Sequence, residues 1–310
     1  MKKSILVGFM MLIVGLLLTG YAYLNNGENL INAKNWEIGF LKDSKRKVML
    51  VKNIKFSKVS VNGDLNIIVK KGTKFGVVYQ GEKKDQPTVK IKDDLLSIDE
   101  HKPHGVNITI SNSTNEQVII TVPTDSNLQE FSGDIGFGNF KAENMKIKRM
   151  NLSSGDGDIA LAENQIDYLK INNQDGDIGI INHNKIKQGF IIMEDGDLML
   201  KDSQLNKTTI INANGDIDVN DIIVNDVNFK LQEGDFTANN LKVLHKLNVT
   251  NSDGDNEVKL KKNTDILIGM HNEDGDNTYL GKNVGSDYNT QGKTSNHIIL
   301  NNNSGDNEIK

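Results

Sequence analysis

The chain has 310 residues, of which 37% are hydrophobic and only 5% aromatic, with three prolines, one tryptophan and a formal net charge of −5; this is lean for a globular enzyme and ordinary for a repetitive β structure. There is no cysteine, which excludes disulfides, thiolate metal sites, cysteine nucleophiles and a lipidated cysteine anchor. Charge divides the molecule: residues 1–130 carry 18 Lys+Arg and 13 Asp+Glu, net +5, and the remaining 18 and 28 leave residues 131–310 at −10, a balance that repels nucleic acid and favours cationic partners.

Residues 1–4 contain Lys2 and Lys3, and residues 5–24 form an uncharged run of 20, long enough to cross the hydrocarbon of a bilayer as one helix. The lysines predict a short cytoplasmic N-terminus, a single-pass anchor at 5–24 and an extracytoplasmic remainder. Gly20-Tyr21-Ala22 offers a signal-peptidase site, but the run exceeds a signal-peptide core. Residues 25–49 are polar and read as a stalk. Between Lys42 and Lys58 the chain is strongly basic, suited either to solvent beside the membrane or to anionic headgroups.

Residues 50–130 are β-rich without a fixed period and read as an irregular β cap or as degenerate coils, closing the open end of a stacked sheet. Strands are expected near 75–79, 89–91, 95–98, 106–110 and 118–122. The alternation of Val59, Val61, Leu65, Ile67 and Val69 across Asn62-Gly63-Asp64 fits either a hairpin or an early coil.

From 131 to 310 one phrase returns. Glycine followed by aspartate stands at Gly133, Gly157, Gly176, Gly196, Gly215, Gly234, Gly254, Gly275 and Gly305, at intervals of 24, 19, 20, 19, 19, 20, 21 and 30 residues. A period near 20 marks a solenoid, each repeat one turn of chain stacked on the last. Two residues after glycine stand apolar residues such as Ile135, Ile159, Ile178 and Leu198, and four after stand Phe137, Leu161, Ile180 and Leu200. Five before stand Leu152, Ile171, Ile191 and Ile210. Apolar positions two apart define strands with one buried face, so the fold class is all-β: a parallel β-solenoid with coils of about 20 residues. Nine such coils at about 4.8 Å make a rod of roughly 40 Å.

The glycine supplies a positive φ to the turn, and the aspartate an acceptor for a turn N–H. The alternative concerns the stacked carboxylates of Asp158, Asp177, Asp197, Asp216, Asp235 and Asp255: their repulsion could be relieved by calcium between coils, although the Gly-Gly-x-Gly-x-Asp nonapeptide of calcium-binding β-rolls is lacking. In the last three coils the position two after glycine becomes Asn256, Asn277 and Asn307, which predicts an asparagine ladder. The final coil stops a few residues past its turn, so an exposed terminal rung is a candidate for strand addition or self-association, unless the longer preceding coil folds over it.

Catalytic constellations are missing from this pattern. The six histidines fall in different phases of the repeat, with His101-x-x-His104 a weak metal pair in a loop, and no nucleophile elbow, phosphate loop or zinc-protease helix is present. A carboxylate pair acting on envelope polysaccharide is the enzymatic alternative, but the acids keep to regular turn positions.

With its anchor, the alternating strands after Phe56 and the Ser-Gly-Asp and Asp-Gly-Asp-Ile coils, the chain resembles the bacterial "putative adhesin" family over roughly residues 50–310. This is a β-strand-repeat domain of unknown function that includes LiaX-like envelope-stress proteins. The resemblance implies a surface location and a non-catalytic role, with envelope proteins or cationic antimicrobial peptides as partners; the anchor at the start departs from the LiaX-like pattern.

Overall fold

A computed structural model describes residues 31–34, 37–40, 46–100, 108–110, 116–262 and 265–310. The expected anchor at 5–24 and its flank at 1–4 lie outside the described residues, as do His101 and His104. Regular structure among the described residues is strand throughout, apart from one 3-10 turn at Lys83–Asp85.

Ten coils stack in parallel. In chain order they occupy 58–72 (coil 1), 128–143, 146–162, 165–181 (coil 4), 185–201, 204–220, 223–243 (coil 7), 246–260, 267–279 and 297–309 (coil 10). Each holds a longer strand on one face and a shorter one on the other, joined at the glycine corner; in coil 4 these are Gln165–Asp175 and Ile178–Ile181. Like residues lie over like: Leu152, Ile171, Ile191, Ile210, Phe229 and Val249 are successive partners on the first face. Ile159, Ile178, Leu198, Ile217 and Phe236 are partners on the second. All eleven are buried, and each contributes about 1.5–3 kcal/mol relative to exposure. The expected period therefore rests on columns that no coil could bury alone.

Two features of the coil carry no obvious sequence mark. The longer strand bends: burial in coil 4 passes from Ile166 to Leu169, a slip of one at Asp167–Tyr168, and the same place is a break between Lys185–Ile186 and Gly189–Asp195 in coil 5. Lys207 and Asp226 occupy it in coils 6 and 7 with φ of 44° and 57°. In coils 2 to 7 the second corner turns on a left-handed residue other than glycine: Asn144, Glu163, His183, Asp202, Asp221 and Asn240, at φ between 47° and 64°. Asparagine, aspartate and histidine tolerate this region best.

Asn62-Gly63-Asp64 belongs to an early coil and not to a hairpin. Lys58–Asn62 and Asn66–Gly72 go to different faces, pairing in parallel with Leu128–Ile135 and Phe140–Glu143 of coil 2. Gly133 does not hold a corner. It pairs with Val61 and Leu152 inside the first-face column, where a Cβ would lie 2.7 Å from Leu152 Cδ1. The corner of coil 2 is Gly138-Asn139, because Phe140 pairs with Ile159; the anomalous interval of 24 becomes 19, counted from Gly138 to Gly157. Phe137, expected in the core, is consequently 68% exposed.

Both ends are closed by antiparallel strands. At the first end, Thr88–Lys92 pairs with Leu95–Asp99 beside coil 1, and Gly76–Gly81 and Arg46–Lys52 extend the other face beyond Gln117–Pro123. The segment expected as a stalk thus contributes Arg46–Lys52 to the cap, and Ile31–Lys34 and Glu37–Phe40 form a hairpin paired with Ile108–Ile110. At the other end the order departs from sequence. Coil 10 lies between coils 8 and 9, and Lys282–Asn283 and Asp287–Asn289 pair antiparallel with coil 9. The final coil is therefore an interior rung, not an exposed one, and the longer preceding segment does fold over it.

Candidate functional site

The glycine corner concentrates the unusual chemistry. At Gly176, Gly196, Gly215, Gly234, Gly254, Gly275 and Gly305 φ lies between 112° and 151°, a region that L side chains avoid. Close approach is a second requirement. A Cβ on Gly215 would stand 2.2 Å from the Gly196 carbonyl oxygen, and one on Gly157 would stand 2.1 Å from that of Gly138. The column holds even at Gly157, where no positive φ is demanded.

The aspartates make a continuous spine between coils. Each accepts, on Oδ1, the backbone N–H of the aspartate one rung on: Asp177 N–H to Asp158 at 3.1 Å, Asp197 to Asp177, Asp216 to Asp197 and Asp235 to Asp216 at 2.9 Å, and Asp255 to Asp235 at 2.8 Å. The series continues through Asp306 to Asp276 in stacking order and ends where Asn283 Nδ2 donates to Asp276. At the other end asparagine does the same work: Asp158 N–H reaches Asn139, and Asn139 N–H reaches Asn66. Sequence reasoning placed the acceptor's partner within its own turn; the partner is in the next coil. The aspartates weighed as an alternative calcium ladder, Asp158 to Asp255, form this hydrogen-bonded column. Among the described residues no group of three or more His, Asp or Glu side chains is placed to hold a metal ion.

Inside the corner, asparagines three residues before glycine anchor the glycine carbonyls. Asn212 Nδ2 donates to Gly215 O at 2.9 Å and Gly196 O at 3.1 Å, and Asn251 and Asn302 reach Gly234 O and Gly254 O at 2.8 Å. The predicted ladder of Asn256, Asn307 and Asn277 is present in that spatial order, with two amide-to-amide bonds of 2.8 Å, and all three side chains are buried.

Outside the corner a second acidic row flanks the spine. Asp156, Asp175, Asp195, Glu233, Asp253 and Asp274 precede the glycines and are exposed. Partial desolvation, then the charges of Asp156 and Asp195, raises the Asp175 carboxyl above its usual range. Asn214 and, between Asp253 and Asp274, Ser304 interrupt the row, and Asn214 Nδ2 donates to Asp195 Oδ1 at 2.7 Å. One edge of the solenoid is therefore a double file of carboxylates whose inner file is fixed by backbone donors.

Away from that edge several charged groups are paired. His245 contacts Asp226 of the preceding coil, His271 lies 2.7 Å from Asp287, and Lys187 joins Asp167 at 2.6 Å. A shallow groove of about 340 Å³ along the strand bend is lined by Gln129, Glu130, Lys148, Arg149, Asp167 and Tyr168, both charge signs alternating along it. In the first cap Glu116 is raised to about 7 by burial and by Asp85.

A parallel β-solenoid whose coils are locked by glycine carbonyls and an aspartate spine defines a class of β-repeat protein. The chain belongs to the Toastrack DUF4097 family, whose model matches residues 51–188 and again 181–310. The two matches meet within the uninterrupted stack of coils 4 and 5. No curated protein matches it in sequence. Solved structures similar to it include a putative adhesin from Bacteroides fragilis (14% identity, TM-score 0.48, covering 87% of this chain and 98% of that one). A putative lipid binding protein from Parabacteroides distasonis (10%, 0.49, 86% and 98%) and a putative adhesin from Parabacteroides merdae (12%, 0.48, 86% and 96%) are also similar.

Proposed function

We propose that the protein is a membrane-tethered, extracytoplasmic, non-catalytic binding or scaffolding element of the bacterial cell envelope, and that its acidic corner receives cationic peptides. The uncharged run at 5–24 supports the tether, and Lys2 and Lys3 support the orientation. The observation that carries the binding role is the double file of carboxylates, exposed along one edge from Asp156 to Asp274. Like charges at rung spacing repel, and a flexible polycation laid along the edge neutralises several at once. The corner's regularity also supports a binding role over a catalytic one, because a catalytic carboxylate pair needs a local break in the pattern to set its spacing and its protonation.

The test is a titration of the full chain in detergent with a Lys/Arg-rich amphipathic peptide at several salt concentrations. Binding that weakens steeply with salt, and weakens further in a variant carrying Asp175→Asn, Asp195→Asn and Asp253→Asn, supports the reading. Salt-independent binding, or none at low salt, overturns it. Release of reducing ends from envelope polysaccharide by the purified chain would replace it with the enzymatic reading.

A further inference from the structure

The C-terminal tail is inserted, not appended. His297–Ser304 pairs in parallel with Lys246–Asp253 on one side and with Leu267–Asp274 on the other, and Asn307–Ile309 does the same with Asn256–Leu260 and Asn277–Tyr279. Coils 8 and 9 are thus the two walls of a slot one strand wide.

The slot is specific for this tail. Ile298 and Leu300 fall between Leu247 and Val249 on one wall and Ile268 and Met270 on the other. Asn307 bridges Asn256 to Asn277 by its amide, and Asp306 carries the spine across. A strand with apolar residues but without this asparagine and aspartate would leave buried amides of both walls unpaired, at a cost far above that of a lost exposed bond.

The connection to the tail is held on coil 9 as far as Thr290, by Lys282–Asn283 and Asp287–Asn289 and by Asn277 Nδ2 donating to Gly285 O and Ser286 O, and residues 291–296 are the part left to redirect the tail. Residues 291–296 are mostly exposed and include Gly292; extended, they reach about 20 Å, whereas the tail returns only one rung, about 4.8 Å. Past Thr290 the connection is tied to its own molecule mainly by Thr294 Oγ1 and Asn296 Nδ2, which donate to Asp265 O.

We propose that residues 296–310 form an exchangeable strand, and that the slot between coils 8 and 9 is a binding site for the tail of a second copy of this chain. Exchange keeps every hydrogen bond and every apolar contact of the tail and alters only which molecule supplies it, so closed and exchanged forms differ mainly through linker entropy and concentration. Reciprocal exchange gives a dimer; one-way exchange gives a linear assembly. In dilute solution the chain's own tail wins, and crowding of tethered copies on one surface favours exchange. Strand order alone dictates this behaviour, independently of the acidic corner.

The absence of cysteine makes the test direct. Asn248 and Ile299 are register partners on the outward side of coils 8 and 10, at a spacing that a disulfide spans. Full-length Asn248→Cys and Ile299→Cys chains, carrying different tags, are mixed in detergent, incubated and oxidised. The expected result is a mixed disulfide that accumulates with incubation time and rises with protein concentration. The Asn248→Cys/Ile299→Cys double variant, oxidised at high dilution before mixing, should close on itself and lose that dimer. The proposal is overturned if the mixed disulfide forms no more readily than between Lys90→Cys, at the far end, and Ile299→Cys, or if pre-closing the tail leaves its yield unchanged. The pair Thr250→Cys and Asn301→Cys, also in register, repeats the measurement should the first pair disturb folding.

Discussion

Replacing Gly215 by alanine tests the corner most sharply, because two independent costs meet there. At φ of 122° an alanine incurs about 1–3 kcal/mol of backbone strain. Its Cβ, placed 2.2 Å from Gly196 O and 3.0 Å from Asp197 Oδ1, must also push coils 5 and 6 apart, lengthening the spine bond between Asp216 and Asp197. Together these give a destabilisation of at least about 3 kcal/mol, a fall in Tm of roughly 6 °C or more. Gly179 is the internal control. It lies between Ile178 and Ile180 on the outer side of the shorter strand, where an added Cβ would meet nothing within 4 Å, so Gly179→Ala removes only glycine's entropy cost and should be neutral or stabilising by about 0.5–1 kcal/mol. Guanidinium unfolding measures both, and hydrogen exchange at the Asp216 and Asp235 amides locates the damage, since repeats unfold in neighbour-coupled units. A Gly215→Ala chain within about 1 kcal/mol of the parent, or an equally harmful Gly179→Ala, would refute this account of the corner.

Three further outcomes are expected. Asp216→Ala strips the acceptor from the Asp235 N–H at an exposed corner and should cost about 0.5–1.5 kcal/mol, whereas Asp216→Asn keeps an acceptor and removes a repelling charge, so its Tm should match or exceed the parent's, with a larger gain at low salt. Asn307→Leu orphans the Asn256 amide nitrogen and the Asn277 oxygen; apolar burial offsets part of that, leaving about 1–3 kcal/mol of destabilisation by chemical denaturation. Glu116, held near 7, binds its proton more tightly folded than unfolded, so its contribution is fully present below the ordinary carboxylate value and is lost as pH rises through about 7. Glu116→Gln should therefore raise stability at pH 8 by about 1–2 kcal/mol after allowance for solvent screening and flatten the slope between pH 4.5 and 7, as thermal melts across that range would show.

The all-β solenoid was legible in the sequence because its core is made of columns, and a column repeats whatever residue fits it. Gly157 to Gly305 could be read directly for that reason. Gly133 misled because Gly-Asp is also what a strand can contain: there the glycine makes room for Leu152 in the packed interior, and the corner passes to Gly138-Asn139. The second corner was missed since its left-handed residue is variously Asn, Glu, His or Asp, none of which forms a word. The aspartates were recognised as acceptors, but their donors sit about 20 residues away in sequence and 4.8 Å away in space, a relation that only stacking supplies. Least visible was the reversal of coils 9 and 10. Both carry the same phrase, so residue pattern cannot rank them; the long interval from Gly275 to Gly305 was the available sign, and the connection at 280–296 is its physical content.

The spine gives the molecule a grammar of length. At the corner each coil offers its aspartate carboxylate and glycine carbonyl toward the next coil and its aspartate amide hydrogen toward the preceding one, so interior coils outside the asparagine ladder present matching halves. Excising a whole module, such as 19 residues from one glycine to the next, brings together ends that already fit, while removing half a module aligns donors with donors. Relatives built on this corner are thus free to differ in reach by whole steps, growing or shrinking between closed ends without redesign of either.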